Sequence, residues 1–405
     1  MFLDNQLPED CCGCAACSNI CNFSAITMKQ NAEGFYYPEV DKEKCRDCGM
    51  CQKVCPMQDS YVGQAAEPAI YAARNHDESV LKDSSSGGMF TILASWILEQ
   101  KGVVYGVAFD KDHYVCHMRA ETAEEAWKFR RSKYVESDIT GVYLQITEDL
   151  KQGRFVLFTG TPCQVAGVTK YLKARRVNTE KLYTCDNICH GVPSRKIWKD
   201  YLDILKSKYI AADDEIMDIN MRSKKVSWKE QVFDIQLRDG NIDKVLEDFS
   251  FNKFFLSLYG NRSSCFHCHY TSYKRPGDFS LGDFWNSENA GLNFDIESGV
   301  NVALVNTEKG KALLEKLKDR ADFQMVSQKA CWQPHLEYSA KSPAGREKFW
   351  NDYLNAADKE AVLRKYQKGS LITRVIRSLS PLLHKTGLYG LAGKMYKLII
   401  VKKRS

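Results

Sequence analysis

Eight cysteines near the start of the chain stand at intervals that repeat. Cys11, Cys14, Cys17 and Cys21 are separated by three, three and four positions, and so are Cys45, Cys48, Cys51 and Cys55. The pattern is C-x2-C-x2-C-x3-C written twice. Three thiolates on one tight loop can cap three corners of a cubane iron–sulfur cluster, while the fourth, read here as the start of a helix that leads away, ligates the other cluster in two-cluster ferredoxins. The spacing therefore assigns Cys11, Cys14, Cys17 and Cys55 to one [4Fe-4S] centre, and Cys45, Cys48, Cys51 and Cys21 to a second. Zinc knuckles would need only two C-x2-C pairs and would leave the third and fourth cysteines of each run without a task. Asn22 stands where the second run has Pro56, a turn position at which asparagine costs little. Cys12 reads as a bystander, because recruiting it would break the register with Cys14 and Cys17.

A second thiol set is dispersed. Cys163, Cys185, Cys189 and the pair Cys265-x2-Cys268 fall in the turn-like segments GTPC, CHGVP and RSSCFHC. A C-x2-C pair with two further turn cysteines can make a four-thiolate site, for iron–sulfur or for zinc. Cys116 and Cys331 read as ordinary small apolar side chains. Two glycine turns add to this. In SSSGG, residues 84 to 88, glycines just before a predicted helix let backbone N–H groups approach a pyrophosphate, although a serine N-cap with a tight glycine lead-in explains the same residues and is slightly favoured. TGTPCQ, residues 159 to 164, is a strand-to-helix turn of the phosphate-binding type that also carries a cysteine.

The elements that must position these groups follow from pattern. With 405 residues, 44% hydrophobic and 11% aromatic, the chain can bury a sizeable core and divide into two or three domains. MFLDNQLPEDCC shows no basic segment followed by an apolar run, and MFTILASWIL is too short to span a bilayer, so a reducing cytoplasm is the expected compartment, where clustered thiols serve as ligands or redox groups. MQDSYVGQAAEP, residues 57 to 68, reads as a connecting stretch. AIYAAR, VVYGVAFD, RFVLF and GVNVALVN read as strands; MFTILASWILEQKG, VAGVTKYLKAR, RKIWKDYLDILKSKY and EKGKALLEKLKD as helices; FDIQLRDGNIDKVLE as a hairpin turned at Asp239-Gly240. The expected fold class is α+β or α/β: a ferredoxin-type domain over 1–60, a linker over 61–68, a mixed-sheet body with flanking helices over 69–150 and 151–335, and a helical basic tail over 336–405.

The ordered set of the doubled cysteine run, SSSGGMF, RRSKYV (130 to 135), FTGTPCQ, CHGVPS, RSSCFHC and GDFSLGDFW (277 to 285) resembles the family of coenzyme F(420) hydrogenase/dehydrogenase beta subunits over roughly residues 1 to 335. Members of that family are flavoproteins that bind FAD beside a [4Fe-4S] cluster; its branches include deazaflavin-reducing subunits and bacterial members encoded among surface-polysaccharide genes. The resemblance implies FAD held by Ser85, Ser86, Gly87 and Gly88, by Ser132, Lys133 and Tyr134, and by Gly160, Thr161 and Gln164. Lys133 would offer a cation to the pyrophosphate or to the reduced ring. It further implies a third [4Fe-4S] cluster on Cys163, Cys189, Cys265 and Cys268, with Cys185 as the competitor of Cys189. Asp278 and Asp283 read as structural turn residues, and His190 as a candidate proton donor set against a plain hydrogen-bonding role; no catalytic residue is assigned. The expected function is an iron–sulfur flavoprotein oxidoreductase relaying electrons from a ferredoxin or other redox partner to a small-molecule or glycan-related two-electron acceptor in polysaccharide biosynthesis. The alternatives are an electron-transfer subunit without its own substrate, a deazaflavin-reducing or -oxidising subunit, and a scaffold lacking FAD.

Charge is distributed unevenly. From Ala361 to Ser405 there are 11 lysines and arginines and no acid, which leaves 46 basic against 51 acidic residues elsewhere. Leu371, Ile372, Val375, Ile376, Leu379, Leu382 and Leu383 recur at helical spacing among Arg374, Arg377 and Lys385. An apolar stripe with a basic face suits an anionic membrane surface, so peripheral contact with the inner face of the membrane is expected, against the alternative of a helix packed on the acidic body. Nucleic acid is not expected as a partner, because the tail lacks interleaved aromatics and the body would repel phosphate.

Overall fold

The computed structural model describes residues 2–58, 67–230, 232–368 and 401–402. The two cysteine runs fold alike. Each loop passes through two left-handed residues, Gly13 and Ala15 in the first run and Asp47 and Gly49 in the second; the later of each pair leads directly into a five-residue helix, α1 (Ala16–Ile20) or α2 (Met50–Val54). Cys21 and Cys55 cap the C-terminal ends of these helices, so the fourth cysteine of each run ends a helix where the sequence suggested that it starts one. The αL residues reverse the chain within three positions, and the single turn that follows delivers the fourth thiol away from its own loop. A hairpin of β1 (Ile26–Gln30) and β2 (Tyr36–Val40) joins the two runs.

The body is built on a mixed sheet of eight strands in the order β12-β3-β11-β10-β7-β6-β4-β5. These are β3 (Ala69–Asn75), β4 (Val103–Phe109), β5 (Val115–Ala120), β6 (Val156–Gly160), β7 (Leu182–Asn187), β10 (Phe279–Asp283), β11 (Asn301–Val305) and β12 (Ala321–Met325). A further pair, β8 (Ile216–Ser223) and β9 (Val232–Leu237), forms a separate antiparallel ribbon. The four central strands β10, β7, β6 and β4 run parallel, and antiparallel strands flank them on both sides. A parallel centre is covered on both faces, which is why Val156, Leu157 and Phe158 of β6 are all buried. Cover comes from α3 (Met89–Glu99), α4 (Val142–Lys151) and α5 (Pro162–Ala174). In such sheets ligands gather at the carboxyl ends of parallel strands, and here Gly160, Asn187 and Asp283 end three neighbouring strands at one edge.

A second core lies beside the sheet. Ile197, Trp198, Tyr201 and Leu205 of α6 (Arg195–Lys208) pack with the β8–β9 ribbon and with α7 (Arg346–Asn355) and α8 (Lys359–Gln367), through Phe349, Trp350, Tyr353 and Leu363. The stretch set apart from residue 336 onward thus begins with two helices seated in this core, while the amphipathic segment over residues 371–383 lies outside the described residues. The hairpin expected at Asp239-Gly240 does not form: β9 pairs backwards with β8, and Asp243–Asp248 is a helix. The backbone N–H groups of Asp239 and Gly240 instead donate to the Asp214 carboxylate, which turns the chain out of the ribbon. Among the described residues no helix is long and apolar enough to cross a membrane.

One buried ion pair fastens the ends of the parallel strands. Arg275 Nε donates to Asp186 Oδ1 at 2.7 Å, with the side chains 1% and 0% exposed. Gly277 N–H satisfies the other carboxylate oxygen, and the guanidinium also reaches the carbonyls of Tyr270 and Asn187. Arg275→Met would strand the Asp186 charge. We expect a loss of about 3–5 kcal/mol in chemical denaturation, and a loss below about 1 kcal/mol would show that the pair does not anchor the edge.

Candidate functional site

The fold brings the first eight cysteines together as two crossed sets. Cys17 interacts electrostatically with Cys11 and Cys55, and after them with Cys51 of the other set; Cys14 interacts with Cys55 and Cys17, and Cys55 with Cys11. Cys21, Cys45, Cys48 and Cys51 line a separate small cavity of about 30 Å3. Each run thus lends its last thiol to the other. The first set is pressed against the body. Gly167 of α5 leaves room for Cys14, whose Sγ would lie 3.0 Å from a Cβ at that position, and Tyr143 donates its hydroxyl to the Cys14 carbonyl. Asn22, where the second run has Pro56, accepts a hydrogen bond from Arg175 Nη1 at 2.7 Å and so ties the first run to α5. The second set faces outward, with Cys48 exposed.

The four later thiols also converge. Cys163 is the second residue of α5, Cys189 follows β7, and Cys265 and Cys268 lie on and just after the turn Ser263–His267. Burial, aided by Cys163 and Cys268, pushes the Cys189 thiol up to about 12, and burial with Cys189 raises Cys265 well above its usual range. Cys185 is buried in the sheet, packed with Leu157 and Phe279, and it too lines a cavity at the carboxyl edge of the parallel strands. Cys331 is buried in an apolar core and Cys116 lies half-buried on β5, away from the sets. Buried thiols that repel one another fit a group that brings positive charge. Among the described residues no three His, Cys, Asp or Glu side chains close in far enough to hold a single metal ion, whereas a cluster holds its thiolates further apart.

Between the first set and these four thiols lies a dry contact. Met57, Ala166 and Tyr270 are buried together with Cys12, Cys55, Cys163 and Cys268 packed around them. Tyr270 donates its hydroxyl to the Pro56 carbonyl at 2.8 Å and its backbone N–H to Cys268 Sγ at 3.4 Å. Cys12 lies within hydrogen-bonding reach of Cys14 and Cys163. Met57, read from sequence as connecting chain, is therefore core.

A cavity of about 360 Å3 opens at the carboxyl edge of the parallel strands, with the four later thiols on one side. Ser85, Ser86, Gly88, Ser132, Lys133, Tyr134, Gly160, Thr161 and Gln164 line it. Gly87 does not: a Cβ there would lie 2.4 Å from the Ala73 carbonyl, so this glycine serves packing against β3. Gly88, at φ +74°, is itself the N-cap of α3, where the sequence suggested a serine. Lys224 straps this turn by donating to the carbonyls of Leu81, Ser86 and Ser298. Gln164 is occupied at both ends, accepting from Thr161 N and donating to Ser137 Oγ, which in turn meets His117 Nδ1. Burial pushes His117 down to about 4, so the ring is neutral and its Nε2–H faces the Thr159 carbonyl. Asp278 is structural as expected, bonded to Thr184 and Thr307. Asp283 instead stands in the cavity wall, paired with the buried Arg222. His190 lines the cavity with its ring tilted by 31° against that of His335, 4.3 Å between centroids, and burial holds it down at about 4, so at neutral pH it is a neutral hydrogen-bonding group.

Family models match the chain in three places: a 4Fe-4S dicluster domain over residues 10–58, the N-terminal part of the coenzyme F420 hydrogenase/dehydrogenase beta subunit over 70–142, and its C-terminal part over 153–330. The last two together span more than half of the chain. The chain belongs to the family of coenzyme F420 hydrogenase/dehydrogenase beta subunits. It is similar to a subunit of the F(420)H(2) dehydrogenase of Methanosarcina mazei, at 22% identity over 77% of this chain and 84% of that protein. A shorter match joins 17% of this chain, at 32% identity, to 19% of a subunit of the Na(+)-translocating ferredoxin:NAD(+) oxidoreductase complex of Acetobacterium woodii. Among solved structures, a chain of the F420-reducing [NiFe] hydrogenase complex from Methanosarcina barkeri covers 76% of this chain and 90% of its own length at 17% identity and a TM-score of 0.40. This beta-subunit relative is thus an iron–sulfur protein of an oxidoreductase family, with a dicluster domain fused ahead of the larger body.

Several residues that matter to the site escaped the sequence reading: Arg222, Lys224, His117, His335 and Tyr270. Tyr270 had the clearest signal, two residues after the C-x2-C pair. Lys133 was named, and the structure shows its surroundings. Its Nζ donates to the carbonyls of Lys128 and Arg130, and burial, then Arg131, push it down to about 7 against the pull of Asp218 and Asp83. It is cationic below that pH and neutral above it. Competitive acylation read by mass spectrometry should show Lys133 labelling half-maximally near pH 7, whereas ordinary lysines require about pH 10.4. Labelling of Lys133 in step with surface lysines would contradict this environment.

Proposed function

We propose that this beta-subunit relative is an iron–sulfur flavoprotein oxidoreductase, relaying electrons between a ferredoxin-type partner and a two-electron acceptor. One observation carries the reading: a single cavity joins a wall of four converging thiols to a wall of SSSGG, SKY and TGTPCQ residues, and the inner thiol set of the dicluster domain abuts it through a dry contact. Bound at these sites, [4Fe-4S] clusters and FAD would supply one-electron carriers and a junction to hydride-equivalent chemistry.

The chain's own residues then divide the work. Cys21, Cys45, Cys48 and Cys51 would hold the outer cluster, near enough to the surface at Cys48 for a redox partner to approach. Cys11, Cys14, Cys17 and Cys55 would hold the inner one, and Cys163, Cys189, Cys265 and Cys268 a third. Met57, Tyr270 and Cys12 keep water out between the inner set and the four body thiols. Ser85, Ser132 and the N-terminus of α5 line the cavity, and Lys133 in its protonated form, which a neighbouring anion would favour, would supply a cation to an FAD pyrophosphate.

The acceptor would meet the wall made by Trp285, Asp283, His190 and Gln333, where a flat apolar face stands beside hydrogen-bonding groups. That mixture suits a glycan-related small molecule. A deazaflavin is the second reading, favoured by the relative that is part of an F(420)H(2) dehydrogenase. The basic tail beyond residue 368 would hold the chain at an anionic membrane surface.

The flavin is the part to test. Gly88 is a poor site for the variant, because its left-handed backbone makes any side chain strained. Lys133→Gln removes the cation and leaves that turn alone. Anaerobic titration of the full chain with FAD should give saturable, stoichiometric binding, weakened several-fold in Lys133→Gln at neutral pH. Folded wild-type protein that binds no FAD would end the flavoprotein reading.

A further inference from the structure

Arg262 is fully buried three residues before Cys265, and its guanidinium reaches both the dicluster domain and Glu136 of the body. Nε donates to the Cys11 carbonyl at 2.7 Å, and Nη2 to the Tyr36 carbonyl at 2.8 Å and to Cys11 Sγ at 3.5 Å. Nη1 meets Glu136 Oε1 at 2.5 Å, and the guanidinium lies 4.2 Å from the centre of the Tyr37 ring. Its backbone faces the other way: the N–H donates to Val192 and the carbonyl accepts from Cys265. The ligand loop is shaped around this pair. A Cβ on Gly13 would lie 2.8 Å from Arg262 Nη1 and 2.9 Å from Glu136 Oε1, and Gly13 is also held at φ +70°.

The outer set has a different surrounding. The hydrogen bonds to the Cys21 and Cys45 sulfurs come from the backbone N–H groups of Ala25 and Asp47. Iron–sulfur potentials respond to net charge, to hydrogen bonds on sulfur and to burial. A buried cation donating to a ligand sulfur favours the reduced state, and a carboxylate just beyond it opposes that effect in a medium that screens neither well.

We propose that Arg262 is a potential-setting residue. It raises the reduction potential of the cluster held by Cys11, Cys14, Cys17 and Cys55, with Glu136 as its counterweight, and so draws electrons from the outer set toward the body. This rests on the reading of those four cysteines as the ligands of one [4Fe-4S] cluster.

The test is an EPR-monitored redox titration of the full chain, with inner and outer signals told apart by Cys48→Ser, which disturbs the outer one. Arg262→Met should move the inner midpoint to more negative potential, Arg262→Lys should restore part of the shift, and Glu136→Gln should move it to more positive potential, while the outer midpoint stays in place. A merely structural pair would not give opposite signs. Shifts of the same sign, or none, in samples whose iron and signal intensity match the wild type would overturn the proposal. If Arg262→Met loses its cluster, Glu136→Gln decides alone: a positive shift supports the assignment, and no shift or a negative one overturns it. A wild-type chain without the two N-terminal signals would defeat the ligand reading itself.

Discussion

Thiols packed side by side away from water repel one another as soon as they ionise, and a protein interior that gathers them must supply positive charge. That constraint organises this chain. Burial drives Cys17, Cys189 and Cys265 away from ionisation in the bare protein, and a hydrogen bond with Cys12 followed by burial does the same for Cys163; cationic clusters among them would offset that cost. The fold adds its own cations at the same places: Arg262 beside Cys11, and Arg275 beneath the loop that carries Cys268 and Tyr270. Both arginines are buried and matched by carboxylates, Glu136 and Asp186. The body is therefore braced by ion pairs at the points where thiols enter it.

The sheet explains why the rest of the site lies where it does. Three parallel strands end at Gly160, Asn187 and Asp283, and the chain leaves each of them into a segment that lines the cavity. The first of these segments carries Cys163, the second Cys189 and His190, and the third Trp285. A strand edge that would otherwise serve only as a boundary becomes a meeting place for thiols, a neutral histidine and glycine turns. The dicluster domain docks beside this edge, so the inner thiol set sits against the cavity wall and the outer set against solvent.

How much of this could be read in advance depended on how local each signal was. The doubled cysteine run was legible because its chemistry depends on spacing within a loop, and the crossed sharing of Cys21 and Cys55 is what that spacing proposes. The strands β3, β4 and β11 and the helices α3, α5 and α6 were legible from periodicity. The hairpin at Asp239-Gly240 was misread because a turn dipeptide cannot say which strand its neighbour pairs with, and β9 had a partner upstream. Cys189 and Cys185 were alternatives in sequence; in the structure Cys185 is buried on β7 and Cys189 follows the strand, and both line the cavity. Arg262 and Glu136 are 126 positions apart, and nothing local marks either as the other's partner. Gly87 looked like a ligand cradle, and only the approach of the Ala73 carbonyl reveals it as a packing residue.

The central claim is that the body thiols form a third cluster site in series with the dicluster domain, and iron content tests it most directly. Anaerobically purified full-length protein should contain about twelve irons per chain, all in cubane clusters by Mössbauer spectroscopy, and replacing Cys265 and Cys268 together with serine should lower this to about eight. About eight irons in the wild type, unchanged by those replacements, would contradict the account.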